Sequence, residues 1–146
     1  HDALLISACR ALVEADVLTI CSGGGGIPVV AEDGQYVGVE AVNDKDFSAR
    51  VLAENVDADR LIILTGVDNI YINYNQPDQK ALEQISVAEA EEYIKEGHFA
   101  AGSMLPKIEA ALDFVKGDDK RKAIITSIEN LENIDKEAGT VISQKG

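Results

Sequence analysis

The sequence predicts an α/β fold built on an open, mainly parallel sheet sandwiched between helices. Three observations predict it. Short apolar runs at residues 17–21, 60–65 and 123–126 read as strands buried on both faces, the pattern of parallel sheets. The segments between them carry apolar residues at helical spacing. Helix punctuation falls where that spacing begins and ends, with Ser86 and Glu89 forming a capping box and Gly97 and Gly117 standing just past helix ends.

Taken in order, residues 3–15 read as an amphipathic helix through Leu5, Ala8, Cys9 and Leu12. The run 17–21 is a short buried strand, and a glycine-rich loop occupies 22–28. Val29 and Val30 lead into a turn around Glu32, Asp33 and Gly34, with a second extended piece near 36–39. A helical stripe through Phe47, Val51 and Leu52 covers 44–56. The strand at 60–65 precedes a shorter one at 70–73, expected to be its hairpin partner. One helix spans 86–96. Pro106 suits the first turn of another, whose inner face is Ile108, Ala111, Leu112 and Val115. A strand at 123–126, a short helix capped by Ser127 and running to about Asp135, and an edge strand at 140–143 complete the chain.

A length of 146 residues with 46% hydrophobic content suits one compact domain and makes disorder a poor description. The 13 Lys and Arg against 26 Asp and Glu leave a formal charge of −13, a field that repels nucleic acid and anionic membrane surfaces. Apolar runs such as 61–64 fall far short of the roughly 20 residues that cross a bilayer. Cys9 and Cys21, the two cysteines, are expected to be reduced core thiols, and with no signal-peptide pattern a cytoplasmic location is expected. The chain opens on His1 and its one methionine is Met104, from which a piece of a longer protein is expected.

In open α/β sheets ligands bind beyond the carboxyl ends of the strands, and four segments qualify. The first is Ser22-Gly23-Gly24-Gly25-Gly26-Ile27-Pro28. Four ordered glycines forfeit about 0.5–1 kcal/mol each relative to alanine, a large sacrifice for a connector, and bare N–H groups there would cradle an anion such as phosphate. No Gly-Lys-Ser/Thr follows, and Pro28 interrupts any dinucleotide-type helix start. The second is Asn43-Asp44-Lys45-Asp46. Either Asn43 or Asp44 can cap the helix, whereas Lys45 in the first turn opposes the helix dipole unless it faces solvent or an anion. The third, 65–69, reads as a turn when taken alone. The fourth, 102–107, leads into a helix whose first turn holds Lys107, where dipole and ammonium would both attract phosphate. His98 in the preceding loop reads as structural.

Together these segments resemble the carbamate kinases of the amino acid kinase superfamily. The resemblance rests on Ser22-Gly-Gly-Gly-Gly-Ile-Pro-Val29, Gly38-Val-Glu-Ala-Val42 with Asp44-Lys-Asp46, and Ile63-Leu-Thr-Gly-Val-Asp68 through Tyr71. It continues through Pro77-Asp-Gln79, Glu96-Gly-His-Phe99, Gly102-Ser-Met-Leu-Pro-Lys107 and Ala123-Ile-Ile-Thr-Ser127. The match runs in order along essentially the whole chain and covers the carboxyl-terminal half of such an enzyme.

The resemblance implies that residues 1–146 form a single nucleotide-binding lobe of a longer, homodimeric kinase. That enzyme would transfer phosphate reversibly between ATP and carbamate, giving ADP and carbamoyl phosphate, with Mg2+ accompanying the nucleotide. It implies Lys45, Asp46 and Lys107 as catalytic residues and Gly23, Gly24 and Gly25 as the cradle for the phosphoryl group. Thr65, Gly66, Val67, Asp68, Tyr71, Asn73, Tyr74 and Met104 would line the nucleotide site. Two rivals remain at this level. One is a sibling kinase for acetylglutamate, uridylate or aspartate; the other is a nucleotide-binding module inactive without its amino-terminal lobe.

Overall fold

The computed structural model describes residues 3–23 and 26–146. Helix α1 (Ala3–Glu14) is followed by an irregular stretch, then by the hairpin of β1 (Val29–Glu32) and β2 (Gln35–Gly38). Helix α2 (Lys45–Asn55) leads to β3 (Arg60–Thr65), β4 (Ile70–Ile72), β5 (Lys80–Leu82) and β6 (Gln84–Ser86). Helices α3 (Val87–Lys95) and α4 (Met104–Lys116) precede β7 (Lys122–Ser127), a 3-10 turn at Leu131–Lys136 and β8 (Thr140–Ser143).

The main sheet has the order β3-β7-β8-β6. β3 runs parallel to β7 and β6 parallel to β8, while β7 and β8 are antiparallel. This is a mixed sheet of parallel strands flanked by helices, as the α/β reading expects.

Helix α4 organises the core. Its inner face buries Ile108, Ala111, Leu112 and Val115 as the spacing predicts, and Phe114 is also wholly buried. These pack with Leu61 and Ile63 of β3, Ala123 and Ile125 of β7, and Ile142 of β8 in one apolar cluster. Each Leu, Ile, Val or Phe side chain among them contributes about 1.5–3 kcal/mol by leaving water.

Local signals set the helix ends. Asp44 caps α2 through its side chain, which accepts from the Asp46 amide at 2.7 Å. Ser86 and Glu89 form the reciprocal box at the start of α3. Donation from the Ser86 backbone and hydroxyl holds the Glu89 carboxyl below the ordinary carboxylate range. Gly97, at φ +78°, supplies the left-handed residue that ends α3.

Several expectations are corrected. Residues 17–21 form no strand: Leu18 and Ile20 are 98% and 99% exposed, because no described strand lies beside them to complete a ladder. Cys9 and Cys21 are joined as a disulfide with Cα atoms 6.7 Å apart, since this connector folds back along α1 instead of entering the sheet. β3 is buried on alternate residues only, because α4 covers just the Leu61 and Ile63 side of it. β4 pairs with β5, not with β3. β8 is an interior strand between β7 and β6, not an edge. The helix expected to follow Ser127 is a 3-10 turn whose N-cap is Asn130, although the Ser127 hydroxyl does accept from the Asn130 amide at 3.2 Å.

The turn into β8 permits no side chain at Gly139. Its φ is +127°, and an added Cβ would lie 2.6 Å from the Thr126 Cβ and 2.7 Å from the Ile125 carbonyl oxygen. Gly139→Ala is therefore expected to lower the unfolding free energy by about 2 kcal/mol or more, seen as a reduced urea midpoint at unchanged slope.

Candidate functional site

Two helix N-termini converge on one carboxylate. Asp46, in the first turn of α2, is 7% exposed; its Oδ2 receives Lys107 Nζ at 2.9 Å and Lys45 Nζ at 3.3 Å. The partners differ in their access to solvent, the Lys107 side chain being 12% exposed and that of Lys45 64%. Asp46 thus serves a shared ion pair, while the cap of its own helix is Asp44. The Asp46 carboxylate also raises the Lys45 ammonium above the ordinary lysine pKa, first through the hydrogen bond and then through charge.

Asp44 also acts on Lys45 by charge, so the two ammonium groups face two carboxylates at this corner. What the arrangement offers an anionic ligand is two cations held in fixed directions.

The glycine-rich bend reaches the same corner. The Asn43 side chain donates to the Gly26 carbonyl at 2.8 Å, which places the exit of the bend two residues before Lys45. Gly23 is described, with open space around its Cβ position. Gly24 and Gly25 lie outside the described residues.

At the start of α4 the structure modifies the expected phosphate attraction. The amides of Ser103, Met104 and Leu105 all point to the Ala100 carbonyl at 3.1–3.2 Å, and Pro106 has no N–H. Attraction for an anion here falls to the Lys107 side chain, with little from free backbone donors.

The proposed nucleotide-lining residues occupy the carboxyl end of β3, the loop beyond it, the end of β4 and the head of α4. Thr65 ends β3, opposite Ser127 of β7 in the parallel register. Gly66, Val67 and Asp68 form the loop, and an Asp68 oxygen accepts from the Ser127 hydroxyl at 2.6 Å. Tyr71 and Tyr74 approach with ring centroids 5.9 Å apart, and between them Asn73, at φ +51°, donates to Asp78 at 2.6 Å. Met104 opens α4 and packs against the core, three residues before Lys107. The structure therefore joins Lys45, Asp46 and Lys107 directly; of the nucleotide-lining candidates, Thr65 ends β3, Gly66, Val67 and Asp68 follow it, Tyr71 lies in β4, Asn73 and Tyr74 follow that strand, and Met104 opens α4.

Ser127 is the polar residue that motif reading valued only as a helix cap. Its position at the carboxyl end of a buried strand was the available signal. His98 bonds Glu96 at 3.0 Å and meets Tyr93 edge-on, the structural role expected of it. Among the described residues no group of three or more His, Cys, Asp or Glu side chains could hold a metal ion, and no helix is long and apolar enough to cross a membrane.

A model of the amino acid kinase family matches residues 1–127. Carbamate kinase 2 of Enterococcus faecalis is 99% identical over 139 residues, which is 95% of this chain and 45% of that protein. The carbamate kinase of Latilactobacillus sakei is 56% identical over 134 residues, covering 91% of this chain and 43% of its own length. The solved structure of carbamate kinase from Giardia lamblia bound to AMP-PNP aligns with a TM-score of 0.89 at 40% identity, over 97% of this chain and 50% of that one. The chain thus spans less than half the length of the curated relatives it matches.

The Lys45 charge offers a direct check on the shared carboxylate. Asp46→Asn should let Lys45 lose its proton at lower pH than in the parent, as read from the chemical shift of its ε-methylene against pH. In the parent, the stabilisation Asp46 lends to the charged amine is present below the ordinary lysine pKa and disappears as pH climbs through the raised value.

Proposed function

Because this chain belongs to the amino acid kinase family, we propose that it is the nucleotide-binding part of a carbamate kinase. The reaction is reversible phosphoryl transfer between ATP and carbamate, giving ADP and carbamoyl phosphate. The observation that carries this reading is the pair of first-turn lysines on one buried carboxylate, at the corner reached by the glycine-rich bend. The names and identities of the relatives support the choice of carbamate over another acceptor.

Phosphoryl transfer asks a protein chiefly for positioning and charge neutralisation. A carbamate oxygen attacks the γ-phosphorus, the new P–O bond forms as the bond to the β-phosphate oxygen breaks, and ADP departs with that electron pair. Carbamate already carries an anionic oxygen, so no dedicated base is needed. Lys107 neutralises charge on the bridging and transferring oxygens, Lys45 the charge developing on the same group, and Asp46 holds both ammonium groups in place. Backbone amides at Gly23, Gly24 and Gly25 cradle the group in flight. Thr65, Gly66, Val67, Asp68, Tyr71, Asn73, Tyr74 and Met104 line the nucleotide.

Magnesium belongs to this scheme as part of the nucleotide substrate. The described residues provide no carboxylate cage for it, and the buried Asp46 carboxylate is already engaged by two ammonium groups. A homodimer and a cytoplasmic location go with the same reading.

The span of the chain favours a companion reading. With less than half of its relatives' length present, these 146 residues bind ADP or ATP but do not turn over alone, the carbamate side residing in further sequence. Calorimetry with ADP on this chain, beside an assay of ATP formation from ADP and carbamoyl phosphate by the full-length protein, separates binding from catalysis. Absence of both overturns the kinase reading.

In the full-length protein, Lys107→Ala should reduce turnover at least about a hundredfold, since a cation well placed in a dry phosphoryl site is worth about 3 kcal/mol or more of barrier. Asp46→Asn should be nearly as damaging, because both lysines lose their anchor; wild-type turnover in either variant removes that residue from the mechanism.

A further inference from the structure

The loop joining β3 to β4 is shaped by side chains, because β4 does not return to pair with β3. Its far end is pinned by the Asn69 side chain, which donates to the Leu82 carbonyl at 3.2 Å, and by the Ile70 amide, which donates to the Thr140 hydroxyl at 2.7 Å. Thr140, itself fully buried, donates in turn to the Leu82 carbonyl. Its near end, at the carboxyl edge of the sheet, depends on one group. Ser127 is 2% exposed, and its Oγ donates to Asp68 Oδ1 at 2.6 Å while accepting from the Asn130 amide at 3.2 Å.

Asp68, by contrast, is exposed at the mouth of the loop. A carboxylate in that place is a liability for a site that takes a polyanion, unless its direction is constrained. A buried hydroxyl that both donates and accepts constrains it well. Its donor is committed to the carboxylate and one lone pair to a backbone amide, so turning the side chain about χ1 would break two bonds at once.

We propose that Ser127 is a positioning residue for the nucleotide: it holds Asp68 against the end of β7 and thereby fixes the shape of the 65–69 loop. The inference rests on the nucleotide-binding reading above and deepens it. Asp68 acts here first as the strut that receives Ser127. The hydroxyl need not touch the nucleotide to set its affinity, because it acts on a loop whose other end is already tied to β5 and β8.

The test is steady-state kinetics of the full-length protein in the ATP-forming direction, with ADP varied. Ser127→Ala should raise KM for ADP about tenfold while kcat stays within about twofold, the signature of lost ground-state and transition-state binding alike. Ser127→Thr, which keeps the hydroxyl, should restore KM to within about threefold. Should Ser127→Ala fail to fold, Ser127→Cys, which keeps the side-chain size but donates only weakly through sulfur, should raise KM for ADP at least about threefold with kcat within about twofold. Unchanged KM in Ser127→Ala overturns the inference while leaving the kinase reading intact. So does a loss of kcat and thermal stability that Ser127→Thr does not repair, or, where the alanine variant does not fold, unchanged KM in Ser127→Cys. A parent protein that neither binds ADP nor forms ATP overturns the kinase reading, and this inference falls with it.

Discussion

One carboxylate oxygen, Asp46 Oδ2, receives ammonium groups from two helices, and the geometry of the candidate site depends on that junction. A buried carboxylate is costly to desolvate and is tolerated only when well paired. Here its partners are the neighbouring Lys45 and Lys107, which lies 61 residues further along. The second partner makes the junction a tertiary feature. It ties the first turn of α2 to the first turn of α4, and the inner face of α4 is the centre of the core. The direction of the Lys107 ammonium is thereby coupled to the packing of Ile108, Leu112 and Val115 below it.

The same helix accounts for where the remaining candidate residues lie. Because α4 packs on β3, β7 and β8, its head comes to the end of the sheet at which the parallel pair β3 and β7 finish, with Thr65 beside Ser127. Loops leaving strand ends need partners for their polar groups. In this chain those partners are largely hydroxyl and amide side chains, on Ser127, Thr140, Asn69 and Asn43. A site built this way has a defined shape before any ligand arrives, which lowers the ordering cost of binding.

The most informative departures from the sequence reading involve pairing. The run 17–21 has the composition of a buried strand, yet composition describes only what a strand would do beside neighbours, and no described strand lies beside it. Freed from a ladder, the connector lies back against α1 and Cys21 meets Cys9. β3 has four consecutive apolar positions, Leu61 to Leu64, yet buries alternate ones because α4 packs on the Leu61 and Ile63 face alone. β8 looks terminal in sequence and is interior in space, since β6 adds to its far side. Apolar content shows that a segment suits burial without saying what covers it.

What the sequence by itself determined is what depends on residues a few positions apart: the Asp44 and Ser86 caps, the stop at Gly97, the buried face of α4 and the two lysines set in first turns. Hydrogen bonds and side-chain periodicity within a helical turn are complete once those few residues are known. Tertiary structure alone decided that Lys107 meets Asp46, that Ser127 holds Asp68, which strands are neighbours and which cysteines meet. Those contacts join residues 12 to 61 positions apart, and their energies come from geometry that exists only after the core has closed.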